Sequence, residues 1–127
     1  MTAPTLTLVI PTVGRPTLAR TLASLRGQPW GPGDEVMLVC DKPAAGPFVR
    51  ELYPQFGLPV RYLETPALGH WGHGVRNHVQ RERLVRTTHR AQLDDDDTWT
   101  PDALSLIRAA VTAEPDRPHI FRMDWRN

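Results

Sequence analysis

A single cysteine, Cys40, in 127 residues excludes an internal disulfide and a thiolate zinc cluster. No apolar run approaches the roughly 20 residues that cross a bilayer. The first ten residues carry no basic start, apolar segment and small-residue cleavage site, so no secretory signal is read and a cytoplasmic location is expected by default. Charge of one sign is also missing: 15 Lys and Arg against 14 Asp and Glu leave +1, too little for a global pull toward nucleic acid or membrane. There is no internal repeat or low-complexity block. The turn after the first apolar run carries Gly14 alone, not the three spaced glycines of a dinucleotide site, and neither a P-loop nor a Gly-x-Ser-x-Gly elbow occurs.

What is present is α/β punctuation. Thirteen prolines and nine glycines cut the chain into short units of alternating type. Residues 5–10 are β-rich and stop at Pro11, whereas Leu18, Leu22 and Leu25 recur at helical spacing before Gly27. Residues 36–40 form an apolar run of the kind a parallel strand covered on both faces needs, with Cys40 as its small buried last member. Residues 48–55 suit a short helix, 60–64 a third strand, 74–86 a third helix and 90–93 a fourth strand. In the last helix Thr100 is the expected N-cap and Pro101 the first residue, with Leu104, Ile107 and Val111 as its apolar stripe. The tail from His119 suggests a fifth strand. One domain over 1–127, with a largely parallel central sheet flanked by helices, is the expectation.

In such sheets ligands sit beyond the carboxyl ends of the strands. Asp94, Asp95, Asp96 and Asp97 fall there, and crowded carboxylates cost stability unless a cation or hydrogen-bond donors compensate. On an extended backbone Asp94 and Asp96 would share one face, with Asp95 and Asp97 pointing away. Hard oxygens without sulfur suit Mg²⁺ or Mn²⁺ completed by substrate phosphates. A solvated acidic turn is the plainer alternative, and the spacing does not fit an EF-hand. His70, His73 and His78 lack the spacing of a zinc site. Trp71 could cover a ligand or pack as a half-buried aromatic. Arg76, Arg81, Arg83, Arg86 and Arg90 face only Glu82 in that stretch, with Arg76, Arg83 and Arg90 on one stripe if helical. They read chiefly as a solvated face, and nucleic acid is a minor alternative.

"TLVIPTVGRPTLARTLASLRGQ", "EVMLVCD", "GHGVRN" and "LDDDDTWTPDAL", in that order, resemble the nucleotide-binding half of family 2 glycosyltransferases of the GT-A (Rossmann-like) fold, over about residues 6–111. The resemblance implies a nucleotide-sugar donor of UDP or GDP type, Mn²⁺ or Mg²⁺, and transfer to an acceptor hydroxyl, typically with inversion. Carried over by motif, Pro11 and Thr12 line the nucleotide pocket, Asp41 accepts hydrogen bonds from the base, and Arg76 and Asn77 organise the donor site. Asp94 and Asp96 match the Asp-x-Asp (DXD) motif, Asp94 near the ribose and Asp96 on the metal, with Asp95 and Asp97 as supporting acids. Lys42 stands where the family often has a second acid. The chain is truncated relative to the family, whose further residues supply the acceptor site and catalytic base; Asp124 is the base candidate in this tail. A non-catalytic nucleotide-sugar-binding domain or fragment, completed by a partner or by homo-oligomerisation, is the alternative.

Overall fold

The computed structural model describes residues 3–121. Four parallel strands, β1 (Leu6–Thr12), β2 (Glu35–Cys40), β3 (Val60–Glu64) and β4 (His89–Gln92), form a sheet in the order β3-β2-β1-β4. Four α-helices join and follow them: α1 (Leu18–Leu25), α2 (Gly46–Leu52), α3 (His73–Arg81) and α4 (Ala103–Ala113). The expected α/β architecture with a parallel sheet is what the chain adopts.

Both faces of the sheet are covered, which is why β1 and β2 are apolar almost throughout. Leu8, Ile10, Val36, Leu38 and Cys40 pack under Leu18, Leu22 and Leu25 of α1 and Val49 of α2. Their neighbours in the strands, Val9, Met37 and Val39, meet Val75 and Val79 of α3 on the opposite face. Leu6 receives Leu104, Ile107 and Val111 of α4, so α4 lies on the α1 side. The helix α3 changes face because the chain reverses direction across the sheet. From β1 to β3 it steps one way; to reach β4 it steps back past β1, and a right-handed crossover then needs the other face. Such a reversal is the place where ligands bind in open α/β sheets, beside the loops that leave β1 and β4.

Several local expectations shift. β1 runs through Pro11 to Thr12 rather than stopping before the proline. By ladder alternation Pro11 faces β4, and β4 pairs with β1 only as far as Val9, whose carbonyl accepts Leu93 N–H (3.1 Å), so no hydrogen bond is lost. α3 ends at Arg81, five residues short of the expected end, and Arg83 has φ +51°. Arg83 and Arg86 therefore lie in the link to β4 and Arg90 on β4 itself, and no helical arginine stripe forms. The short second helix starts earlier, at Gly46, between 3₁₀ turns at Pro43–Ala45 and Tyr53–Phe56. Residues 119–121 are not strand, and the rest of the proposed fifth strand lies outside the described residues.

At the last helix Asp102, not Thr100, is the N-cap, and Pro101 precedes it in a turn. The capping acceptor comes from elsewhere. Gln28 Oε1 accepts Leu104 N–H (3.1 Å) while Gln28 Nε2 donates to the Thr100 carbonyl (2.8 Å). Asp34 performs a similar task at the amino end of the sheet. Its buried carboxylate accepts Leu6 N–H (3.0 Å) and Gly31 N–H (2.7 Å) and pairs with Arg108 of α4.

Asp34→Ala therefore strands two backbone donors and a guanidinium group that is one third exposed. The expected cost is roughly 2–4 kcal/mol, less than for a fully buried pair because water reaches Arg108. Urea unfolding measures it: a midpoint within error of wild type would show that Asp34 does not tie α4 to the sheet.

Candidate functional site

Four loops meet at the carboxyl edge of the sheet. Gly14, at φ +81°, brings the loop after β1 so close to the loop after β2 that a Cβ there would lie 2.7 Å from Ala45 Cβ. Gly72, at φ +89°, lets the loop after β3 lie on Pro11, where a Cβ would fall 3.1 Å from the ring. Only glycine meets both the space and the dihedral requirement at these two positions.

Around the reversal the side chains interlock. Thr12 Oγ1 accepts Gly14 N–H (3.0 Å) and donates to Asp95 Oδ2 (2.7 Å). Arg15 donates to the other oxygen, Asp95 Oδ1, through Nε (3.0 Å) and through its terminal nitrogen, which also lies 3.3 Å from Asp96 Oδ2. Asp95 is buried, and its two oxygens bind the loop after β1 to the loop after β4. Hydrogen bonding to Asp95 raises the Arg15 pKa above its ordinary value, so the guanidinium is fixed as a cation.

The backbone after β4 is not extended. Asp97 N–H donates to the Asp94 carbonyl (3.2 Å), closing a turn that sends Asp95 inward by itself. The strict alternation expected for an extended segment is thus corrected: Asp97 joins Asp94 and Asp96 on the solvent side. Carboxylate oxygens from these three lie within 4.8 Å of one another. Loss of hydration, followed by the charges of Asp96 and Asp94, raises the Asp97 pKa above the usual carboxylate range. Oxygens sharing one octahedral shell at ~2.1 Å lie ~3 to ~4.2 Å apart, so a small closure lets this set hold Mg²⁺ or Mn²⁺. Hard carboxylates and room for phosphate or water fit such an ion. Among the described residues, the one ion-sized cluster of possible ligands is this set of acids, and no histidine belongs to it.

Arg76 reaches the same turn from α3 and pairs with Asp94. Its Nε is buried and has no hydrogen-bond partner among the described residues. Asn77, one residue on, lines a groove with Leu68, His70, Gly74, Gln80 and Arg81, on the side of α3 where Leu68 N–H meets Asp41. Asp41 closes β2 as expected and is buried. Its Oδ1 accepts Thr65 Oγ1–H (2.6 Å) and Leu68 N–H (2.7 Å), and its Oδ2 accepts Gly69 N–H (2.8 Å). One lone pair on Oδ2 is left for a further donor. Trp71 is 94% exposed at φ +51°, which rules out the packing role considered for it. Asp124 lies outside the described residues.

Sequence reasoning gave no role to Arg15 and Thr21, which touch the acidic turn, nor to Ser24 and Gln28, which hold the start of α4 outside the site. Thr21 Oγ1 donates to the Asp97 carbonyl (2.7 Å), Ser24 Oγ accepts Trp99 N–H (3.0 Å), and Gln28 holds Thr100 and Leu104. The three-residue spacing of Thr21 and Ser24, beside the leucine stripe of α1, was the available signal; Gln28 lies past the helix end and gave none.

No protein-family model matches the chain, and no curated protein matches it. Solved structures do. TarS from S. aureus, residues 1–349, superposes with a TM-score of 0.68 at 18% identity, covering 87% of this chain and 33% of that one. The mannosyltransferase PcManGT from Pyrobaculum calidifontis, in complex with GDP-Man and Mn²⁺, superposes with a TM-score of 0.67 at 18% identity, covering 89% and 33%. A longer TarS structure gives 0.65 at 19% identity, covering 84% and 19%. The chain spans about a third of the length of the first two. Across that span it has a GT-A-like glycosyltransferase fold.

Proposed function

We propose that this chain binds a nucleotide-sugar donor through a divalent ion, Mn²⁺ or Mg²⁺, and transfers the sugar to an acceptor hydroxyl. The observation that carries the reading is the convergence of Asp94, Asp96 and Asp97 at the sheet reversal, with Arg76 and Arg15 beside them. The likeness to a fold seen with GDP-Man and Mn²⁺ supports it. A bound divalent ion supplies the charge that stabilises a departing diphosphate.

The chain's own residues divide the remaining work. Asp94, Asp96 and Asp97 provide the oxygens. Arg76, paired with Asp94 at the edge of this set, would place its guanidinium beside a diphosphate held there. Thr12 and Arg15 keep Asp95 turned inward, so the turn presents its outward acids without backbone rearrangement. Asp41 Oδ2 and the ring of Pro11 border the space for the nucleoside, of GDP or UDP type. In the transfer the acceptor oxygen bonds to the anomeric carbon, the bond to the diphosphate breaks, and the acceptor proton passes to a base; inversion follows from a single displacement. Asp124 is retained as the candidate base.

A second reading is a nucleotide-sugar-binding domain without catalysis of its own, completed by a partner or a second copy. The span of only a third of the matched structures favours keeping it.

GDP or UDP is expected to raise the melting temperature on the order of 10 °C at a hundredfold excess over Kd when Mn²⁺ is present, beyond the shift from Mn²⁺ alone, and not to do so without the metal. Asp96→Ala abolishes the shift; a variant with the full shift would remove Asp96 from the site.

Arg76→Ala separates ion from nucleotide. Mn²⁺ alone binds it at least as well as wild type, because a competing cation has gone from Asp94, whereas nucleotide affinity in the presence of Mn²⁺ falls roughly tenfold or more. Calorimetric titration of both variants distinguishes this from an arginine that only steadies the fold, for which the two affinities would fall together.

Donor hydrolysis is the third test. Release of GDP or UDP from its sugar conjugate, lost in Asp96→Ala, is expected of the enzyme; tight donor binding without release under any acceptor favours the second reading.

A further inference from the structure

The acidic turn does not hold itself together. Its closing hydrogen bond runs from Asp97 N–H to the Asp94 carbonyl, and three of its carboxylates gather on one side, where repulsion drives them apart. Beside the hold that Thr12 and Arg15 have on Asp95, a second restraint comes from α1. Thr21, fully buried, donates from Oγ1 to the Asp97 carbonyl at 2.7 Å, and Arg20 donates to the Asp96 carbonyl at 3.3 Å. Both contacts are to backbone, so they fix where the chain runs while leaving every carboxylate oxygen free. Farther along, Ser24 and Gln28 grip residues 99, 100 and 104, which secures the start of α4 rather than the acids.

We propose that Thr21 is a positioning residue for the divalent ion: its hydroxyl sets the spacing of Asp94, Asp96 and Asp97 by pinning the Asp97 carbonyl. The inference rests on the metal reading above and goes one step further, since it assigns the geometry of the ion site to a helix that contributes no ligand. Thr21 touches neither ion nor nucleotide. It acts through the backbone of Asp97, and the hydroxyl, not the bulk of the side chain, does so.

Mn²⁺ alone, titrated into the full chain and followed by electron paramagnetic resonance, tests this. Thr21→Val keeps the shape and removes the hydroxyl, and its Mn²⁺ affinity is expected to fall about tenfold, the size of effect that loss of one buried hydrogen bond produces. Thr21→Ser restores a donor and recovers most of the affinity. Should valine not be accepted, Thr21→Ala, with the best helix former in place, makes the same comparison. Gln28→Leu separates positioning from general support: it loses both contacts to the start of α4 and lowers the melting temperature, yet binds Mn²⁺ within about twofold of wild type. Equal Mn²⁺ affinity for wild type and the hydroxyl-free variants overturns the inference, as does an equal loss in Gln28→Leu. Failure of wild type to bind Mn²⁺ overturns the metal reading itself, an outcome that no Thr21 variant can produce.

Discussion

Everything at the carboxyl edge depends on Asp95 facing inward. Two like charges about 4 Å apart repel by about 1 kcal/mol in bulk water and about 4 kcal/mol near a protein surface. Four adjacent carboxylates on one surface would therefore open the turn. Burying one of them is costly only if its oxygens lack donors, and Asp95 has Thr12 on one oxygen and Arg15 on the other. The buried acid thus removes one charge from the crowd and converts it into a tie between segments some 80 residues apart. Its neighbours in sequence are forced outward by the same turn, so the presentation of Asp94, Asp96 and Asp97 and the joining of β1 to the β4 loop are one structural event.

The topology explains why this tie can form at all. β1 is central in the sheet and β4 is its neighbour only because the chain reverses after β3. At that reversal the crossover helices leave opposite faces, α1 on one and α3 on the other, and neither fills the gap between the departing loops. Each helix instead lends polar groups from its flank: Arg20 and Thr21 from α1, Arg76 from α3. The apolar faces of these helices fix the fold and their flanks shape the site, a division that follows from helical geometry, in which residues one apart in sequence point about 100° apart. Arg76 and Asn77 are adjacent in sequence, yet Arg76 meets Asp94 and Asn77 lines the groove on the side where Leu68 N–H meets Asp41.

Much of the fold could be read from pattern because burial dictates it. The apolar run 36–40 needed cover on both faces, and the leucines of α1 needed a sheet beneath them; both requirements are local in sequence and both were met. The acids at 94–97 were visible for the same reason, as a local violation of charge balance. What pattern could not supply was the direction of each acid, since that is decided by Thr12 and Arg15 far away in the chain and by a turn, not a strand. Boundaries failed where tertiary donors overrode local signals. Thr100 had the chemistry of an N-cap, but Gln28 already met the exposed amide of Leu104, and the helix began later. Pro11 looked like a strand end, yet its missing amide faces a position where β4 has stopped pairing.

Charge bookkeeping within the proposed site carries an order of events. Four carboxylates meet the guanidinium groups of Arg15, Arg20 and Arg76, which leaves the turn net negative. A diphosphate approaching that surface meets repulsion, and Arg76, its natural partner, is occupied by Asp94. Were Asp94, Asp96 and Asp97 to hold a divalent ion, as proposed, Asp94 would no longer neutralise Arg76, and the guanidinium would be open to the anion. Under this reading the nucleotide should not bind first. Cation and nucleotide are coupled through one ion pair, Arg76 with Asp94, and because such coupling is reciprocal, bound nucleotide must tighten the ion by the same factor.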